Sequence, residues 1–120
     1  MKLNPECIRD ILLSVEDTVT ASKVWTYYSD SPRDDLSKYT SDEVVYHVRQ
    51  CSLSDLIIGL KAYDGGDSLM VSDLSPTGHE FLANIRVTAV WKKVLIKGAG
   101  ASLSILAEIA KELAVKHFLG

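Results

Sequence analysis

Two short stretches carry residue types that could do chemistry, and each departs from the spacing that its chemistry needs. His79-Glu80 begins like a zinc-protease motif, but Ala83 stands where a second histidine would supply the other ligand one turn later. Lys97 precedes the stretch 98–100, Gly-Ala-Gly, whereas a phosphate-binding loop places its lysine after the glycines. Serine, histidine and aspartate occur without a nucleophile elbow or a paired-carboxylate spacing. The sequence predicts a non-enzymatic protein with no metal and no cofactor.

The two cysteines favour a structural role. Cys7 and Cys51 each lie on the apolar side of a predicted helix, where a reduced thiol packs as a small hydrophobe. Glu6, Arg9 and Asp10 interrupt the apolar residues of the N-terminus, which therefore resembles neither a signal peptide nor a membrane anchor. We expect a soluble cytoplasmic protein with no membrane partner, and a disulfide is disfavoured in that compartment.

Residue types that fit nucleic acid lie on one predicted helix, residues 41–52. At about 100° per residue, Tyr46, Arg49 and Gln50 point outward. Arginine and glutamine pair with guanine and adenine edges, and a tyrosine can contact a phosphate or sugar. His47 borders the inward apolar stripe and is predicted to be a partly buried structural histidine. The inward stripe consists of Val44, Val48 and Cys51.

Acidic groups oppose this interpretation. The chain has a net charge of -3, and Asp42 and Glu43 lie at the start of the same helix. Asp64 and Asp67 lie in the predicted turn that follows, where many DNA readers place a basic residue. Two lysines are expected to assist a contact with DNA from the sides, namely Lys61 and Lys38.

The elements around this helix are predicted from caps and periodicity. Asn4-Pro5 starts a helix over residues 5–16, and a strand follows around residues 23–27. A polar loop with one helical turn near residues 33–38 leads to Thr40 and Glu43, a capping box that begins the next helix at Ser41. Strands at 56–63 and 68–72 then form a hairpin, since Asp64-Gly65-Gly66-Asp67 tolerates a tight turn.

The C-terminal part is predicted to be helical. Ser75-Pro76 begins a helix that reaches about Ile96, and a glycine-rich break separates it from a last helix over residues 103–118. That last helix is apolar on two sides: Leu103, Leu106, Ala110 and Leu113 on one, Ile105 and Ile109 on the other. We expect a homodimer through Ile105, Ile109 and Leu113, the alternative being that both sides pack on the first helix and on residues 79–96.

This order of elements predicts an α+β fold, a winged helix-turn-helix-like domain with a β-hairpin wing and additional C-terminal helices. One domain spans residues 1–120, with residues 1–73 as its core and residues 74–120 as a helical extension. The stretches "YTSDEVVYHV", "LIIGL", "LSPTGHEFLANIR" and "VWKKV" resemble the uncharacterised family of phage and prophage proteins called domain of unknown function 2513. The resemblance implies a winged-helix-like fold and a phage origin but no mechanism.

Two departures from the family pattern concern the backbone. Ser54-Asp55 replaces the usual Ala-Gly before the wing strand, and Leu74-Ser75 replaces Leu-Thr. Because aspartate tolerates the left-handed conformation, the fold assignment is unaffected.

Two functional hypotheses follow from the residues. The first is DNA binding or transcriptional regulation, in which Tyr46, Arg49 and Gln50 contact double-stranded DNA. The second is a protein-protein interaction or dimerisation module that has the same frame but binds no DNA.

Overall fold

The computed structural model describes residues 1–119, which form five α-helices and two small antiparallel sheets. The helices are α1 (Pro5–Thr18), α2 (Ser41–Leu53), α3 (Pro76–Ile85), α4 (Thr88–Lys97) and α5 (Leu103–Leu119). The strands are β1 (Trp25–Tyr28), β2 (Ile57–Ile58), β3 (Lys61–Tyr63), β4 (Ser68–Val71) and β5 (Asp73–Leu74), and a 3-10 turn spans Asp34–Leu36. The α+β class expected from the sequence is confirmed.

The larger sheet contains the predicted hairpin. Its strand order is β1-β4-β3, with Trp25 opposite Val71 and Lys61 opposite Met70. The connection between β3 and β4 has positive φ at three successive residues, Asp64, Gly65 and Gly66 (54°, 68° and 100°). Glycine adopts such angles without strain and aspartate tolerates them, so this turn chemistry reverses the chain.

The prediction of one strand over residues 56–63 is wrong. Gly59 has φ 70° and separates β2 from β3, and β2 pairs with β5 instead, placing Ile57 opposite Leu74. A side chain at position 59 would collide with Ser72. The chain therefore leaves one sheet and enters the other at position 59, where only glycine adopts the backbone conformation without strain.

The prediction of one helix from Pro76 to Ile96 is also wrong, because α3 ends at Ile85 and α4 begins at Thr88. Val87 between them is extended, with ψ 121°. Counted at about 100° per residue from Phe81, the buried positions of α3 lie within roughly 100° of one another, while those of α4 would lie roughly 180–280° away. A continuous helix could not bury both sets, and the β-branched Val87 and Thr88 lower the cost of a break there. The buried sets are Phe81, Leu82 and Ile85 in α3, and Val90, Trp91 and Val94 in α4.

One buried apolar cluster includes side chains from all five helices. Helix α1 lies near its centre, because α1 contacts α2, α3, β1 and β5. Asn4 caps α1 as predicted, accepting a hydrogen bond from the amide of Glu6 at 3.1 Å. The apolar face of α1 is almost completely buried: Ile8, Ile11, Leu12 and Val15.

The start of α3 is attached to the backbone that follows α2. The amide of Ser75 donates to the Leu56 carbonyl at 3.0 Å, while its hydroxyl donates to the Asp55 carbonyl and accepts from the Gly78 amide at 2.9 Å. Asp55 has φ 60°, the left-handed conformation expected where the family pattern has glycine. A side chain at Gly78 would overlap the Leu56 carbonyl. Only glycine at position 78 permits this approach.

We predict that Gly78→Ala destabilises the protein by about 1–3 kcal/mol, because the added methyl group forces α3 away from Leu56. This loss outweighs the gain of about 1 kcal/mol that alanine brings to a helix interior. Chemical denaturation measures the change, with Thr77→Ala, an exposed neighbour on the same turn, as the control. Equal unfolding midpoints for Gly78→Ala and the parent would contradict the close approach.

Candidate recognition surface on helix α2

Local sequence determines where α2 begins. The Thr40 hydroxyl accepts from the Glu43 amide at 3.2 Å, and the Glu43 carboxylate accepts from the Thr40 amide at 3.0 Å. This is the reciprocal capping box predicted from the sequence, and it satisfies two amides that the first turn would leave without partners. The helix continues to Leu53, beyond the predicted end.

His47 fastens α2 to the start of α1. Its Nε2 accepts a hydrogen bond from the backbone amide of Asn4 at 2.8 Å, and its Nδ1 lies 2.7 Å from the Glu43 carbonyl, one turn earlier in α2. Because the carbonyl can only accept, Nδ1 carries the proton and Nε2 presents its lone pair to Asn4. With 1% of its surface exposed, the side chain is buried, and its predicted structural role is confirmed.

The outer side of α2 presents a short mixed surface. Arg49 is exposed and forms no ion pair among residues 1–119. Gln50 and Tyr46 are half-buried, and the Tyr46 ring meets the His47 ring edge-on at a centroid distance of 5.1 Å. Leu53 follows one turn after Arg49 with 74% of its surface exposed. We call Tyr46, Arg49, Gln50 and Leu53 the α2 surface.

Sequence reasoning missed Leu53. The helix was predicted to end at Cys51 or Ser52, so Leu53 was assigned to the loop that follows. The signal was its spacing, seven residues after Tyr46 and four after Arg49, which places all three on one side of a longer helix.

The two lysines expected to assist α2 have different surroundings. Lys38 forms an ion pair with Asp10 of α1, at 3.3 Å, and its ammonium lies 5.3 Å from the centre of the Tyr39 ring. Lys61 is exposed on β3, an edge strand of the larger sheet. The structure therefore gives Lys38 an intramolecular partner on α1.

The segment of the chain that contains α2 and the hairpin is acidic. Residues 41–71, from α2 through the hairpin, contain five carboxylates and two basic side chains, a formal net charge of -3. At the hairpin turn, Asp64 and Asp67 are exposed and line an open cleft together with Asp30. Phosphate groups of DNA would meet repulsion on this side of the molecule.

A polar network holds the loop that leads into α2. The indole Nε1 of Trp25 donates to the Ser14 hydroxyl at 2.8 Å, which donates to Asp35 at 2.6 Å, and Arg33 donates to the same carboxylate at 3.0 Å. Burial would raise the pKa of Asp35, but the hydrogen bonds from Arg33 and Ser14 outweigh it, so the pKa lies below its usual value. The charged form of Asp35 therefore stabilises the folded protein, and this contribution is lost as pH falls below the ordinary range of an aspartate.

Both thiols are buried and free, as expected. Burial, followed by the nearby carboxylates of Glu43 and Asp10, raises the pKa of Cys7 to about 12. Burial likewise raises the pKa of Cys51, with a smaller contribution from Cys7. Both sulfurs are therefore protonated at neutral pH, and they lack the thiolate character of a nucleophile.

The remaining motifs and the expected dimer residues lie far along the chain from α2. His79 is half-exposed, with its Nε2 3.9 Å from a carboxylate oxygen of Asp73. Within the described residues 1–119, no group of three or more His, Cys, Asp or Glu side chains is arranged to hold a metal ion.

Ile105 is 52% exposed, whereas Ile109 and Leu113 are partly buried against the core. No helix between residues 1 and 119 combines the length and the apolar character that crossing a membrane requires.

Fold and site together define a small α+β protein in which a capped helix and the hairpin after it belong to an acidic segment of the chain. The sequence profile of the family described as hypothetical protein (DUF2513) matches residues 2–102, and the chain belongs to this family. No curated protein and no solved structure matches the chain significantly.

We predict that His47→Phe lowers the free energy of unfolding by about 1–3 kcal/mol, because the Asn4 amide loses its buried acceptor while the ring volume is kept. Tyr46→Phe on the adjacent position removes a hydroxyl from a half-exposed ring and is the matched control, with an expected change within about 0.5 kcal/mol. Thermal or urea unfolding measures both. The role assigned to His47 fails if the two variants unfold alike.

Proposed function

We propose that residues 5–71 form a winged-helix-like core. The strand order β1-β4-β3, with α2 before the paired strands β3 and β4 and separated from them by β2, resembles the arrangement in which a winged helix presents its recognition helix and wing. The 3-10 turn Asp34–Leu36 takes the place of the helix that normally precedes the recognition helix. The network of Trp25, Ser14 and Asp35 supports that turn where a longer helix would otherwise pack.

On this frame the chain acts as a non-enzymatic protein-recognition module, and the α2 surface contacts a partner protein. The observation that carries the proposal is the row formed by half-buried Tyr46 and exposed Arg49 and Leu53, in a segment with net negative charge. Tyrosine and arginine are the side chains most enriched at the centres of protein interfaces, and a leucine 74% exposed supplies apolar area for burial.

A second candidate function is DNA binding or transcriptional regulation through the same helix. The observation in its favour is exposed Arg49, which forms no ion pair among residues 1–119, beside Gln50, because these two side-chain types read guanine and adenine in the major groove. The opposing observation is the charge of residues 41–71, which weakens attraction to phosphates. Membership in the family leaves both functions open, and a phage or prophage origin and a cytoplasmic location remain proposals drawn from the sequence.

We predict that Arg49→Ala combined with Leu53→Ser weakens binding to the partner protein by at least about tenfold, since central interface residues each contribute about 1 kcal/mol or more. The partner is identified by cross-linking in cells and then purified, and its dissociation constant is measured with parent and variant. Val24→Ser, a partly exposed residue elsewhere, is the control.

The same proteins, titrated with DNA fragments at low and moderate salt, test the second candidate. Salt-sensitive DNA binding that the Arg49 variant loses would replace the protein-recognition proposal. Equal affinity of parent and variant for the purified partner would show that the α2 surface does not form the proposed contact.

We also propose the homodimer through Ile105, Ile109 and Leu113. Ile109 lies close to Gly98 at the turn between α4 and α5, so its substitution would disturb folding as well as association. Ile105 is more exposed, and we predict that Ile105→Glu converts a dimer into a monomer in light scattering because a carboxylate cannot be buried unpaired at an interface. Ser104→Glu is the control on an adjacent exposed position. A monomeric parent protein would exclude the dimer.

A further inference from the structure

Charge is divided unequally along the chain. Residues 1–85 carry fourteen carboxylates and seven basic side chains, a formal charge of -7. Residues 86–120 carry two carboxylates and six basic side chains, a formal charge of +4. The overall value of -3 therefore conceals a cationic C-terminal part, which consists of α4 and α5 and the residues beside them.

Helix α4 supplies three of these cations and contains no carboxylate. Its inward side buries Val90, Trp91 and Val94, so Lys92 and Lys93 point away from the core. Neither lysine forms an ion pair within the part of the chain that the structure describes. Both ammonium groups are thus available to an external anion.

Helix α5 places Lys116 beside α4. Lys116 and His117 line one open cleft together with Lys93, and Leu113 and Leu119 form its apolar part. The cleft is concave and is bordered by lysines from two helices. We call Lys92, Lys93, Lys116 and His117 the cationic face.

Glu112 is the nearby carboxylate, and it is engaged by two lysines. Lys116 lies 3.3 Å and Lys97 3.4 Å from the same oxygen of Glu112. The hydrogen bond from Lys116, together with the charge and hydrogen bond of Lys97, lowers the pKa of Glu112. One carboxylate between two ammonium groups leaves the face with excess positive charge.

We propose that the cationic face binds the phosphate backbone of duplex DNA without reading its sequence. Lysines neutralise phosphates as point charges, and cations that project from two adjacent helices can follow successive phosphates along a strand. This site lies outside the α2 surface and does not depend on the function proposed for it. The negative charge of residues 41–71, which opposes DNA binding through α2, does not oppose this site, because DNA approaching α4 and α5 meets the positive part of the chain.

The geometry favours DNA over a membrane surface. A helix that lies in a lipid interface needs one continuous apolar side for the acyl chains. The apolar side of α5 is already occupied by the protein core, where Leu106, Ala110 and Ala114 are buried. The exposed apolar side chains of α5 near the cationic face lie within its last five residues, Val115, Phe118 and Leu119, a stretch shorter than such a side requires.

The test compares two pairs of lysines. Lys92→Gln combined with Lys93→Gln removes two charges from the cationic face, and Lys2→Gln combined with Lys23→Gln removes two exposed charges from the acidic part, so both variants have the same net charge. Fluorescence anisotropy measures binding to a labelled DNA duplex of arbitrary sequence at about 50 and 200 mM salt. Circular dichroism verifies that both variants are folded.

We expect the parent protein to bind DNA more weakly at the higher salt concentration. The Lys92 and Lys93 variant should lose about tenfold in affinity at low salt, and its slope of log K against log salt should fall by about 1.8, since each lost phosphate contact contributes about 0.9. The Lys2 and Lys23 variant should bind as the parent does.

Four results would overturn the proposal. The first is absence of salt-sensitive DNA binding by the parent, including the case in which it binds anionic vesicles instead. The second is salt-sensitive association of the chain with itself in place of DNA. The third is an equal loss in both lysine pairs, which would mean that net charge alone matters. The fourth is a loss of DNA affinity with Arg49→Ala but not with the Lys92 and Lys93 variant, which would assign DNA binding to α2. The titration with the partner protein is a separate measurement, so the two proposals can fail independently.

Discussion

The arrangement of the whole molecule depends on the backbone at Leu56. Its amide donates to the Cys51 carbonyl at 2.9 Å, which closes the end of α2, and its carbonyl accepts from the Ser75 amide at the start of α3. Gly78 lies against the same carbonyl with no room for a side chain. One peptide segment thus ends α2, leads into β2 and contacts the start of α3. Because buried backbone groups must be paired, neither half can move here without losing hydrogen bonds in the other.

The two parts of the chain that meet at this joint differ in charge. The α2 surface belongs to an acidic part that α1 holds in place through His47, whereas α4 and α5 project lysines away from the same core. The partner-protein contact and the DNA contact that we propose would therefore use different parts of the chain. The division follows from the distribution of charge along the chain and from where the fold exposes it, since long-range attraction depends on local potential more than on net charge.

Much of the local structure was predictable because short-range signals determine it. The Thr40 and Glu43 capping box, the Asn4 cap and the Asp-Gly-Gly turn each act within a few residues, and all three are present. The sequence also encodes the break between α3 and α4, because the apolar positions move to a different angular range around the helix after Ile85. The prediction treated them as one continuous apolar stripe. Of the candidate site, Tyr46, Arg49 and Gln50 lie on α2 as the sequence predicts, whereas the predicted end of this helix left out Leu53.

The sequence by itself determined the element types, the caps, the buried faces of α1 and α2, and the unequal charge of its two parts. Only the tertiary structure decided that β2 leaves the hairpin to pair with β5, that His47 accepts the Asn4 amide, and that Lys93 meets Lys116 and His117 at one cleft. The physical reason is the separation in sequence between the groups that interact. Caps and turns are satisfied by neighbours in sequence, whereas strand partners, buried acceptors and charge clusters depend on segments that become neighbours only when the core closes.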